Sequence, residues 1–270
     1  MGTSQSSKGP GSGVPMVPPW ADDATQENNK KDSKESSQTQ QTPVAPKARF
    51  GPARRNLGDF AKSGEKNNLK RALGQYTRGG YGGAARAAQR LSSTAATAAV
   101  LAGVLNQLSG SSSSSTKGPI DSEIIKNGSA EQILDAVVNA TKEIDGSQDS
   151  EASRAAIRDA LTDVLTEFPE TDLTELSLEQ CDFVIERYTA HEIIRRFELD
   201  LGKTILEKAP TASVALSRLK EAKDYVIEVV AEAFRKSKES NRQTSSSSSI
   251  KEIIKSTLRE AFTVFEGYAL

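Results

Sequence analysis

Cysteine and histidine are nearly absent: the 270 residues contain one of each, Cys181 and His191. A single cysteine excludes a disulfide framework within the chain. A single histidine leaves one candidate base, ten positions beyond the thiol on the same predicted helix. That separation is about 15 Å along a helix axis, too far for a nucleophile and base to share a proton. His191-Glu192-Ile193-Ile194-Arg195 opens like a zinc-protease helix but puts arginine where the second histidine is needed. Both residues therefore read as ordinary helix positions. The many carboxylates between Asp121 and Glu207 read most simply as solvated helix faces. With no phosphate loop and no metal-ligand spacing, neither cofactor nor metal is expected, and the chain does not read as an enzyme.

Long apolar runs are missing too. The least polar stretch, Thr94 to Leu105, is mostly alanine and far short of the ~20 residues that span a bilayer. After Lys8 comes Gly-Pro-Gly-Ser-Gly-Val-Pro rather than the apolar core of a secretion signal. The cytoplasm is the expected compartment, with no membrane partner. Aromatic residues make up 5% and hydrophobic residues 36%, lean for one globule of this length. Net charge is −1, but the charges are not mixed evenly. Eleven Lys and Arg lie between Lys47 and Arg90 against Asp59 and Glu65 alone, whereas the stretch from Asp121 to Glu207 is acidic. Such asymmetry fits either packing of the two parts or a basic face offered to a polyanion.

What is present falls into five stretches. Residues 1–20 read MGTSQSSKGPGSGVPMVPPW, with glycine alternating at Gly9, Gly11 and Gly13, and with Pro10, Pro15, Pro18 and Pro19. Glycine raises the entropy lost on ordering and proline forbids helix. Yet this tail carries Val14, Met16, Val17 and Trp20, the only tryptophan, an apolar cluster of the kind a docking peptide uses. Gly2 is small enough for removal of Met1, which leaves an unhindered amine; Gly2 to Ser6 also fits the loose myristoylation pattern. Residues 21–48 form a polar linker that cannot repay backbone ordering.

Residues 49–109 change to short helical patterns. Phe50, Leu57 and Phe60 mark one, ended by Ser63-Gly64; Leu69, Ala72, Leu73 and Tyr76 mark another, ended by Gly79-Gly80. Arg78-Gly79-Gly80-Tyr81-Gly82-Gly83 reads as a loop joining two helices, and after Tyr81-Gly82-Gly83 one alanine-rich helix is predicted to run to Leu108. Residues 110–119 are a serine-rich break. Residues 120–270 read as an acidic helical bundle. Capping boxes at Ser129–Gln132 and Ser177–Gln180 open two of its helices. An apolar stripe from Ile157 to Phe168 stops at Pro169, and a long helix runs from Phe183 through Ile205 to Pro210-Thr211. The next places Leu216, Leu219, Val226, Val229, Val230 and Phe234 inward. A serine loop at Ser245–Ser249 precedes the last. No period-2 strand is evident, so the fold class is all-α.

The opening twenty residues and the block from Arg49 to Leu91 resemble QatB proteins of the Qat anti-phage defence operons. That resemblance implies a non-catalytic defence component working beside an ATPase, a QueC-like enzyme (QatC) and a TatD-like nuclease. QueC-type enzymes activate a 7-deazapurine carboxylate with ATP for attack by an amine, and a protein α-amine is a sensible substitute for ammonia. Gly2 would then be the acceptor, with Thr3 and Ser4 supplying adjacent hydrogen bonds. Gly9, Gly11 and Gly13 would thread a narrow channel, and Val14 to Trp20 would anchor outside it. Arg49, Phe50, Arg54, Arg55, Tyr76, Arg78 and Tyr81 would belong to a second contact with the same enzyme. Two other readings follow from the residues. One is a nucleic-acid adaptor using Arg54, Arg55, Lys70, Arg71, Arg78 and Tyr81; the other is a lipid-anchored scaffold acylated at Gly2.

Overall fold

The computed structural model describes residues 48–108, 120–240 and 247–269. The tail, the linker through residue 47 and the serine-rich break lie outside the described residues. Among the described residues no strand occurs, so the all-α class holds. The helices are α1 (Gly51–Ser63), α2 (Lys66–Gln75), α3 (Ala84–Arg90), α4 (Ser92–Leu108), α5 (Ser122–Asn127) and α6 (Ala130–Thr141). They continue with α7 (Gln148–Glu167), α8 (Leu178–Phe197), α9 (Lys203–Lys208), α10 (Ala212–Ser240) and α11 (Ser247–Glu266). Two π-helical turns, Tyr76–Gly80 and Glu198–Gly202, follow α2 and α8 directly, and a 3₁₀ turn, Gly267–Ala269, follows α11.

The chain divides into two compact units, each built from segments distant in sequence. The first takes the chain through Ser93, Phe197–Tyr225 and the end from Leu258; the second takes Thr94–Arg196 and Val226–Thr257.

In the first unit, α1 accepts Pro52 in its opening turn, where a helix has no N–H bond to lose. It stops at Gly64, φ +75°, whose N–H donates to the Phe60 carbonyl at 2.8 Å. The Ser63 hydroxyl donates to Asp59 O at 2.8 Å and accepts the Glu65 N–H at 3.1 Å, tying α1 to α2. Ala53, Leu57, Phe60 and Ala61 form the buried stripe of α1. Gly58 lies against α9, where a Cβ would stand 3.4 Å from the Lys208 stem. Gly74 of α2 has no room for a Cβ because the backbone of Tyr268 and Ala269 runs across it. Gln75 Nε2 holds that segment by donating to Ala269 O at 3.2 Å.

In the second unit, the box at Ser129 is complete: its hydroxyl accepts the Gln132 N–H at 3.3 Å, and Gln132 Oε1 accepts the Ser129 N–H at 2.8 Å. Ser177 and Gln180 repeat it at 3.2 and 2.8 Å ahead of α8. Helix α7 ends at Glu167 with Phe168 as its cap, as Pro169 predicts. Val137, Ile157, Leu161, Val164, Val184, Tyr188 and Val230 are core residues of this unit.

Five sequence expectations need correction. The alanine-rich helix is two helices, broken at Leu91 (φ −100°, ψ 22°), where buried Leu91 meets the serine pair Ser92-Ser93, residues that compete with helical hydrogen bonding. The long helix toward Pro210 contains the π turn at Glu198–Gly202. Leu216 is 65% exposed rather than inward. The joining loop is shorter than expected, because Arg78–Gly80 are still wound as a π turn, and α11 already begins at Ser247 within the serine run.

Candidate functional site: an aromatic–arginine cluster

Gly2, Thr3, Ser4 and the residues from Gly9 to Trp20 that the sequence marks for partner contact lie outside the described residues. The other seven lie in the first unit, and the fold brings most of them together. Phe50 stacks on Tyr76 with centroids 5.6 Å apart, and Tyr81 meets both rings edge-on at 5.8 and 5.1 Å. Phe197, which sequence reasoning did not single out, closes the cluster 5.3 Å from Tyr76. Such pairs contribute roughly 0.5–1.5 kcal/mol each beyond burial. Phe50, Tyr76 and Tyr81 are at most 3% exposed, so their rings serve packing.

The π turns explain the convergence. At the α-helical 100° per residue, Tyr76 and Tyr81 would point about 140° apart; a π turn, bonded i to i+5, brings them to one side. Gly80 completes the fit, since a Cβ there would fall 2.5 Å from the Phe50 ring.

The second π turn supplies the polar partner. Asp200 Oδ2 accepts the Tyr81 hydroxyl at 2.7 Å and the Tyr76 hydroxyl at 2.9 Å. The Asp200 carbonyl also accepts Arg54 Nη2 at 3.2 Å. Charged acceptors of this kind give about twice the strength of neutral ones. Arg49 lies over this cluster, its guanidinium 4.7 Å from the Phe50 centroid and 5.6 Å from that of Tyr81. Its Nε and Nη1 are buried without a hydrogen-bond partner among the described residues. Arg55 and Arg78 do not join: both side chains are exposed. Asp200 was lost among the many acidic helix residues, and only the spacing of Gly79-Gly80 and Gly202 hinted at irregular winding.

What the cluster can do is anchor. It seats Phe50 in the core two residues after Ala48, where the described residues begin.

A second polar group lies inside the second unit. Tyr188, Glu192 and Ser153 are buried. The Tyr188 hydroxyl donates to Glu192 Oε1 at 2.9 Å and lies 3.1 Å from Ser153 Oγ. Burial raises the Glu192 carboxyl above its ordinary range and pushes Tyr188 well up. His191 Nε2 lies 2.8 Å from Asp163 Oδ2, with Asp159 also beside the ring and paired to Arg195. Burial raises the Cys181 thiol to about 11, which keeps it protonated at neutral pH. No group of three metal-ligating side chains occurs among the described residues. Nor is any single helix among them long and apolar enough to cross a membrane.

Comparison with known families adds one match: residues 82–265 fit the family described as Qat anti-phage system associated protein QatB. No curated protein and no solved structure matches the chain. The match covers about two thirds of the sequence, from the glycines after Tyr81 to the end of α11. The chain therefore belongs to the QatB family and is a component of the Qat anti-phage defence system.

Proposed function

We propose that this protein is a non-catalytic component of Qat defence in the cytoplasm, whose N-terminal tail is bound and modified or processed at Gly2 by the QueC-like enzyme of the same operon. Family membership is the observation that carries the reading. In the proposed reaction the α-amine of Gly2 takes the place of ammonia. Its nitrogen attacks the ATP-activated carboxyl carbon, an amide forms, and the activating nucleotide leaves. Thr3 and Ser4 hydrogen-bond beside the acceptor, the alternating glycines pass a narrow channel, and Val14 to Trp20 hold the tail outside it. A linker of ~28 residues has a typical reach of ~30 Å, enough to cross the face of a medium-sized enzyme while the folded body stays docked. Phe50, Tyr76, Tyr81, Arg49 and Arg54 shape the part of that body next to the linker.

Intact mass and N-terminal peptide mass, taken with and without the QueC-like enzyme, test this. A mass change confined to the Gly2 peptide, dependent on the enzyme and absent in Gly2→Pro, is the expected result. An unmodified Gly2 peptide in both samples sinks conjugation and processing together.

A further inference from the structure

The first unit carries its cations differently from the second. Over the described residues it holds 16 Lys and Arg against 9 Asp and Glu, while the second holds 12 against 22. In the second unit the basic side chains are largely engaged: Arg158, Arg195, Arg196, Arg235, Lys236 and Lys238 all sit in ion pairs. In the α1–α2 hairpin and the π turn after it, Arg55, Lys62, Lys66, Arg71 and Arg78 are exposed. None of these five has an acidic partner among the described residues. Arg55 and Lys62 lie two turns apart on one side of α1, about 10 Å along the axis. Arg71 and Arg78 lie on the neighbouring α2 and its π turn.

We infer that this hairpin surface binds the phosphodiester backbone of a nucleic acid, without reading its sequence. Two observations select that partner. The large apolar side chains exposed among the described residues are Val100, Ile144, Leu178, Leu206 and Leu216, none of them on the hairpin. A protein partner needs an apolar interface core, whereas nucleic-acid interfaces are polar and strongly positive. The rings of Phe50, Tyr76 and Tyr81 are buried and committed to one another, and the half-buried Tyr225 and Tyr268 pair with each other beneath Lys70, so none of them is an open stacking platform. Phosphate contact then supplies the affinity, and each neutralised phosphate steepens the salt dependence by about 0.9 in the log–log slope.

Fluorescence anisotropy of the full chain with a labelled 30-base-pair duplex, at 50 to 400 mM NaCl, tests the assignment. The expected slope is about −4, a loss of roughly 10²-fold between 50 and 200 mM, with equal affinity for scrambled sequences. Arg55→Glu/Lys62→Glu/Arg71→Glu changes only exposed side chains, so helicity by circular dichroism should persist while binding is lost. Absence of binding at 50 mM, or a variant that binds as the parent does, overturns the inference. Tighter binding of a polyglutamate of matched charge than of the duplex also overturns it and assigns the surface to acidic protein segments.

Discussion

Glu192 is a carboxyl group removed from water and held by a phenol. It sits on α8 between Tyr188, whose hydroxyl it accepts, and Arg196, with Ser153 and Asp149 facing it from α7. Burial is the largest influence on it and raises its pKa in the folded chain. The folded state therefore binds the Glu192 proton more tightly than the unfolded state does. Stability from this site is fully present below the ordinary carboxylate range. It is lost as pH rises from there through the raised value. Glu192→Gln keeps an oxygen to accept the Tyr188 hydroxyl and removes the charge that must be buried. The variant is expected to raise the melting temperature at pH 8 and to bring no gain at pH 4, as read by thermal unfolding across that range. A melting temperature lowered at pH 8 but not at pH 4 would show that the charged carboxylate is needed. The sequence hid this residue, because Glu192 looks like any other acid of an acidic helix until Tyr188 is seen four positions back on the buried side.

Among the elements, ends were easier to read than windings. The boxes at Ser129 and Ser177, the glycine stop at Gly64 and the proline stop at Pro169 all stand where local chemistry puts them, because a cap satisfies its own backbone within four residues. The two π turns were not legible. Their winding is held by contacts across 119 and 124 residues, from Tyr81 and Tyr76 to Asp200, which no local window contains. The break at Leu91 is of the same kind, a local choice settled by burial. The candidate cluster was half visible for this reason. Phe50, Tyr76 and Tyr81 stood out by type, while the carboxylate that joins them did not. Asp200→Ala leaves two buried phenols without their acceptor, at about 1–3 kcal/mol each, so a loss of roughly 2–4 kcal/mol is expected in urea unfolding. Asp200→Asn retains an accepting oxygen and should lose less than half as much. Equal losses from the two variants would mean that the charge, not the hydrogen-bond geometry, holds the π turns together.

At the scale of the molecule, sequence order and compactness disagree. The composition shift near residue 110 marks a change of texture, but the first unit borrows Phe197–Tyr225 and the chain end from beyond it. The family match begins at Gly82, so it takes in those borrowed segments and leaves out α1, α2 and the first π turn. The block from Arg49 to Leu91 that carried the resemblance is thus mostly outside the matched residues. It packs on residues that lie inside them. Tyr76 and Tyr81 donate to Asp200 and Gly58 lies against Lys208; Leu258, Phe262 and Phe265 are at most 1% exposed, and just beyond the matched residues Tyr268 and Ala269 cover Gly74. Removing a buried phenylalanine side chain costs about 3–5 kcal/mol, and a domain has only about 5–15 kcal/mol in all. Ending the chain at Thr257 should therefore unfold the first unit, although all of α1 and α2 remains. The second unit loses none of its own residues by that cut. Hydrogen exchange is the measurement: amides of α1 and α2 are expected to exchange at unprotected rates, while those of α7 and α8 keep their protection. Continued protection of α1 and α2 would show that the N-terminal hairpin stands without the chain end, and loss of protection throughout would show that the two units fold as one.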